Sequence, residues 1–229
     1  MDKQAIKHLL LSLGADVCGI ASVDDFQDAP QGFHPRDIFD ACRSVAVFAI
    51  AIPSTLYGAD TRIVYNHANN GSLAEIDRIA FAACRKLEAQ GITCVPVPCD
   101  GPYEHWEPER LHGRGVLSMR HAAVLAGIGS MGKNTLVMNR RFGNRLNIGA
   151  FLTDLSLESD PRVEELCIAN CRRCLDACPQ NALDGVTVRQ DLCRPHTYGV
   201  NGRGFSVCNC NRCRTVCPFA KGTVSTAAQ

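Results

Sequence analysis

The sequence has no run of eighteen apolar residues. Its most apolar stretch, SVAVFAIAIP from Ser44 to Pro53, is too short to cross a bilayer and reads as a buried strand, so no membrane partner is expected. The N-terminus, MDKQAIKHLL, mixes acidic and basic residues and has no signal-peptide core, which points to the cytoplasm. Net charge is close to zero, +1 at pH 7, and gives no reason to expect a nucleic-acid surface. No internal repeat is found, which sets solenoids aside. No Ser-His-Asp arrangement or paired acid follows from spacing, so no catalytic residue is assigned. With 46% hydrophobic and 21% charged residues, the chain is nonetheless that of a folded globular protein.

What the chain has in abundance is cysteine, fourteen in all. Without a signal segment that number points to metal or redox chemistry and away from disulfides. Five (Cys18, Cys42, Cys84, Cys94, Cys99) are scattered over the first 160 residues, and nine fall after it. The same tail, residues 161–229, carries nine Lys and Arg against five Asp and Glu. Clusters held by thiolates would neutralise that excess, since each oxidised four-thiolate cluster adds negative charge.

The first 155 residues alternate helical and strand signals. Ile6, Leu9, Leu10 and Leu13 form a helical stripe ending at Gly14. Strands are predicted near Val17 to Ala21, at 44–52, at ITCVPVP, where Pro96 and Pro98 favour an edge, and at 146–155. Ser72 with Glu75 reads as a capping box opening a helix that closes at Gly91, and a further helix is expected from Leu117 to Ala126. The segments 54–71 and 99–115 read as irregular. This alternation gives an α/β layered domain over 1–158, followed by a second domain over 159–229 that must use metal centres as its core.

Two runs, CIANCRRCLDACPQNAL and CNCNRCRTVCPF, both contain C-x2-C-x3-C-P. In that bacterial ferredoxin pattern the closely spaced cysteines ligate one cluster and the cysteine before proline crosses to the other. Two [4Fe-4S] clusters follow. Cluster A takes Cys167, Cys171, Cys174 and Cys217. Cluster B takes Cys178, Cys210, Cys213 and either Cys193 or Cys208. Only one residue separates Cys208 from Cys210, too few to span two tetrahedral corners comfortably, so Cys193 is favoured.

The glycine-rich GIGSMGK has the G-x4-G-K part of a phosphate-binding loop, but Asn134 stands where magnesium binding asks for Ser or Thr. Close backbone approach to a flat cofactor or a cluster suits it better. Gly129, Ser130, Met131, Gly132, Lys133 and Asn134 are the candidate cofactor-binding residues.

AGIGSMGKNTLVMNRRFGNRLNIGAFLTDLSL (126–157) followed by the two cysteine runs resembles epoxyqueuosine reductases and, more distantly, the iron-sulfur modules of reductive dehalogenases. GADVCGIAS and CRSVAVFAIAIP fit the opening of the same family. The resemblance implies a flavin-reductase-like, nitroreductase-like domain ahead of a ferredoxin-like double-cluster domain. It implies that a corrinoid of the cobalamin type is held by 54–70 and 99–134, and it supports Cys193 as the fourth ligand of cluster B. An external low-potential donor, a ferredoxin or flavodoxin, would feed the clusters. Two alternatives stand beside this: an electron carrier or adaptor docking a partner such as a corrinoid protein, and a reductase using FMN. The family's acidic proton donor has no counterpart in GRGVLSMRHAAVLAG, and its helical repeats, used for transfer RNA, are missing after Ala220. The expectation is therefore an oxidoreductase that is not a true epoxyqueuosine reductase.

Overall fold

The structure is a computed structural model and describes residues 1–59 and 61–223. Helix α1 (Lys3–Ser12) is capped by Asp2, which accepts from the backbone of Ala5 at 2.8 Å, and it buries Ile6 and Leu10. Gly14 then takes φ +110°, a conformation that only glycine adopts without strain. Strand β1 (Val17–Ser22) follows, then the short helix α2 (Pro35–Ile38), then β2 (Ser44–Ala51), antiparallel to β1.

Helix α3 (Arg62–Glu88) is longer than the predicted one. Thr61 caps it, and the expected capping box at Ser72 lies inside the helix. The Ser72 hydroxyl instead donates to Asn69 O (2.8 Å) and accepts from Asn147 Nδ2 (2.6 Å). Asn69-Asn70-Gly71 reads as a breaker in isolation, and tertiary contact overrides it.

Strand β3 (Cys94–Val97) is the sheet edge that Pro96 requires. The connection after it, expected to be irregular, contains a hairpin of β4 (His105–Glu107) and β5 (His112–Arg114). Helix α4 (Met119–Leu125) leads to a second hairpin, β6 (Ser130–Met131) with β7 (Val137–Met138), and strand β8 (Leu146–Thr153) then inserts between β2 and β3. The sheet order is β1-β2-β8-β3, antiparallel throughout.

All eight residues of β8 are buried, because both faces of the sheet are covered. One face packs Val45, Val47, Ile148 and Leu152 against Ala122, Ala123 and Ala126. The other packs Phe48 and Phe151 against Leu10, Ile76, Ile79 and Leu87. Each fully buried Phe or Ile here contributes roughly 1.5–3 kcal/mol of transfer free energy.

Beyond Pro161 the elements are short: α5 (Arg173–Asp176), α6 (Gln190–Thr197), the antiparallel pair β9 (Tyr198–Val200) and β10 (Ser206–Cys208), and α7 (Arg212–Thr215). This part is tied to the sheet. Asp160 meets Lys3 at 3.3 Å and Lys7 at 2.9 Å, and accepts from Ile20 N at 3.0 Å. Gly127 and Gly143, both at positive φ, let backbones touch: a Cβ would sit 2.4 Å from Pro161 O at the first and 2.3 Å from Ala220 O at the second. No helix among the described residues is long and apolar enough to cross a membrane.

Candidate functional site

The two cysteine runs face each other through α5 and α7, one-turn helices that each begin beside a C-x2-C. Their thiols gather crosswise. Cys167, Cys171, Cys174 and Cys217 line one cavity, together with Lys133, Asn134, Met138 and Phe219. Burial raises the Cys174 and Cys217 thiols, and the neighbouring Cys167 adds to the effect at both. In the second group burial pushes Cys213 up to about 11, against the pull of Arg214, while Cys193, Cys210 and Cys178 surround it. Cys178 Sγ accepts from Ala182 N at 3.3 Å, and Cys193 Sγ lies 3.4 Å from Thr197 Oγ1. Cys208 stands on β10, where its backbone N–H donates to Asn66 Oδ1 at 3.1 Å and its sulfur turns to Cys210 O at 3.6 Å.

Among the described residues no three Cys, His, Asp or Glu side chains converge on a single-ion site. A tetrahedral zinc would draw four thiolates to about 2.3 Å of one point. Four thiols that line one cavity without converging on one point fit a cluster, and so does an orphaned donor: Asn211 Nδ2, buried between Cys210 and Cys213 in sequence, has no hydrogen-bond partner.

The glycine-rich segment forms the β6–β7 hairpin and drives its tip between the runs. Gly132 N donates to Leu136 O at 2.8 Å, and Gly129 has no room for a Cβ beside Met138 O. Ser130 Oγ accepts from Leu166 N at 2.9 Å. Lys133 Nζ donates to the carbonyls of Ile168 (3.3 Å), Ala169 and Cys171 (3.2 Å) in the first run, while Asn134 Nδ2 donates to Cys213 O (2.8 Å) in the second. Met131 is partly exposed. The polar side chains at the tip thus serve the cysteine loops.

Sequence reasoning assigned no role to the cations here. Arg120 donates to Thr135 O and Oγ1 at 2.8 and 3.0 Å, and burial lowers its pKa, with Arg214 adding to the effect. Arg214 donates to Asn144 O at 2.8 Å; burial alone would lower its pKa, but Tyr65 and Tyr57 outweigh it and the net direction is up. Arg62 donates to Asn211 Oδ1 at 2.5 Å. No spacing rule flags such residues. The one signal was a polar amide inside C-N-R-C.

Around the second cysteine group the surface is apolar and exposed: Ile63 and Val64 on α3, Trp106 on β4, Tyr198 and Val200 on β9, and Phe205. Arg194 lies over the rings of Tyr103, Trp106 and Tyr198 at 4.8, 5.2 and 5.7 Å. Its helix, α6, is pinned to β5 by Gln190, which exchanges two 3.0 Å hydrogen bonds with the backbone of Gly113.

No protein-family model matches the chain. Epoxyqueuosine reductase of Lactococcus garvieae is 33% identical over 254 residues, covering 96% of this chain and 70% of that protein. That of Bacillus anthracis is 27% identical over 260 residues, covering 96% and 65%. The chain therefore spans about two thirds of the length of the curated relatives it matches. Among solved structures, an epoxyqueuosine reductase with an epoxyqueuosine-modified tRNA-Tyr stem loop superposes with TM-score 0.67 at 20% identity, covering 95% of this chain and 65% of that one. A reductive dehalogenase whose structure suggests a mechanism for B12-dependent dehalogenation superposes with TM-score 0.60 at 21% identity, covering 79% and 25%. The α/β fold is common to all of them.

Two expectations are corrected. The chain was expected not to be a true epoxyqueuosine reductase, and its relatives over nearly its whole length carry that name. That expectation rested on one acid absent from one stretch, which does not outweigh a match spanning 96% of the chain. The chain was also expected to have no nucleic-acid partner, and a structural neighbour holds a tRNA stem loop. Net charge averages over a whole surface and does not report on a local patch.

Proposed function

Because the chain belongs to the epoxyqueuosine reductase family, we propose that it is an iron-sulfur reductase passing low-potential electrons through two [4Fe-4S] clusters to a corrinoid, and that its substrate is an epoxide of the epoxyqueuosine kind carried on tRNA. The observation that carries this reading is the crosswise gathering of the thiols into two groups of four. Cluster A is ligated by Cys167, Cys171, Cys174 and Cys217. Cluster B is ligated by Cys178, Cys193, Cys210 and Cys213, with Cys208 outside it. Among the described residues, 159–223 form the ferredoxin-like unit, and those up to 158 form the nitroreductase-like front.

The exposed apolar rim beside cluster B, with Ile63, Val64, Trp106, Tyr198 and Phe205, is the surface a large flat macrocycle would cover. A bound corrinoid supplies the strongly reducing metal centre that these side chains lack. The chain's own part is to hold cluster B beside that rim, to exclude water with the aromatic side chains, and to keep Arg62, Arg120 and Arg214 close to the thiolates as fixed positive charge.

A second reading rests on the same rim, which a docked protein would also cover, making the chain an electron carrier. Anaerobic purification, assay of iron and sulfide, and titration with cob(II)alamin and separately with FMN distinguish them. The proposal expects about eight iron per chain, tight binding and reduction of cob(II)alamin, and turnover of an epoxyqueuosine stem loop. Stoichiometric zinc in place of iron would overturn it. Clusters that reduce while neither cofactor binds would favour the carrier.

A further inference from the structure

Asn211 sits in C-N-R-C between two thiols of the second group and is only 3% exposed. Its Oδ1 accepts from Arg62 Nη1 at 2.5 Å. An arginine can only donate, so this contact fixes which end of the amide is oxygen and leaves Nδ2 as the free end. That nitrogen has no partner, and the side chain does not cap α7, where Asn211 is the N-cap residue. Native proteins leave few buried donors unpaired, and such an orphan points to an acceptor outside the polypeptide. The equivalent place in the first run, C-R-R-C, holds Arg172 and Arg173, both exposed.

The structure assigns Asn211 Nδ2 as an N–H···S donor to cluster B, oriented by Arg62, with no counterpart at cluster A. The inference rests on the two-cluster reading above and deepens it. A hydrogen bond to cluster sulfur favours the more negative, reduced state and raises the reduction potential. When one electron enters cluster B no proton moves and no bond breaks, so the difference between the sites is purely electrostatic. It makes transfer from A to B downhill. Asn211 and Arg62 are positioning residues that set the direction of electron flow.

The test is a potentiometric titration, followed by electron paramagnetic resonance, of the full anaerobic protein and its Asn211→Leu, Asn211→Asp and Arg62→Met variants, with iron counted in each. Expected is a lower midpoint for one cluster only, about tenfold in the reduction equilibrium or about 59 mV for a one-electron couple. The order is Asn211→Asp largest, then Asn211→Leu, then Arg62→Met, which leaves the amide free to rotate. About eight iron in every variant with both midpoints unmoved overturns the assignment and leaves the two-cluster reading intact. Loss of cluster in both Asn211 variants together with an unmoved midpoint in Arg62→Met overturns it equally. Wild-type protein without iron-sulfur clusters overturns the functional reading itself.

Discussion

Asp160 is approached from three sides, by Lys3, Lys7 and the backbone N–H of Ile20. Burial alone would raise its pKa, but Lys7, Ile20 and Lys3 outweigh it and hold the carboxyl below its ordinary 3.8. Its contribution to stability is therefore fully present at neutral pH and is lost as pH falls from that ordinary value through the lower folded one. Asp160→Asn is expected to cost about 1–3 kcal/mol at pH 7 and to flatten the acid limb of the stability curve. Urea unfolding at pH 7 and again at pH 3 checks both, and an unchanged acid limb would contradict the assignment. Lys133 works at the other junction. Lys133→Met removes the donor that ties the carbonyls of 168–171 together. The expected result is loss of cluster A alone, from about eight iron per chain to about four, read by iron assay and by the disappearance of one paramagnetic signal.

Helix α3 runs through Gly71, where an added Cβ would meet nothing within 4 Å. Gly71→Ala should therefore stabilise the front domain by about 0.5–1 kcal/mol, seen as a higher thermal midpoint. Gly143→Ala should do the reverse. At φ +61° its Cβ would press on Ala220 O and Phe219 O, so the second cysteine run should undock, with faster proteolysis after residue 210 and poorer iron retention. Sequence periodicity located α1, β1, β2, β3, α4 and β8, because their apolar residues recur at the spacing of the element that buries them. It missed nearly the first three turns of α3, where an Asn-Gly pair is overruled by Asn147 on β8, and it missed β4 and β5, which are too short to show alternation. That Cys167, Cys171, Cys174 and Cys217 would lie together was legible because the two cysteine runs share one spacing. Arg120, Arg214 and the buried Asn211 were not, since what selects them is a set of contacts that exists only after folding.

At the scale of the whole molecule, the part beyond Pro161 contributes one large buried aliphatic side chain among the described residues, Leu175, beside the small Ala182 and Ala220. Stripping the metal should unfold this part and spare the sheet, whose two cores are closed without it. Hydrogen exchange before and after chelation checks this: protection should vanish from 161–223 and persist in β2 and β8, and loss across both would show that the sheet also depends on the metal. The place of β8 at the centre of the sheet has a further meaning in time. The strand that joins β2 to β3 is the last of the four to be synthesised, so on the ribosome the sheet stays open until residue 153 has emerged. Cys167 follows fourteen residues later, about one to three seconds at ordinary elongation rates. The cysteine runs are thus delivered to a scaffold whose four strands have all been made.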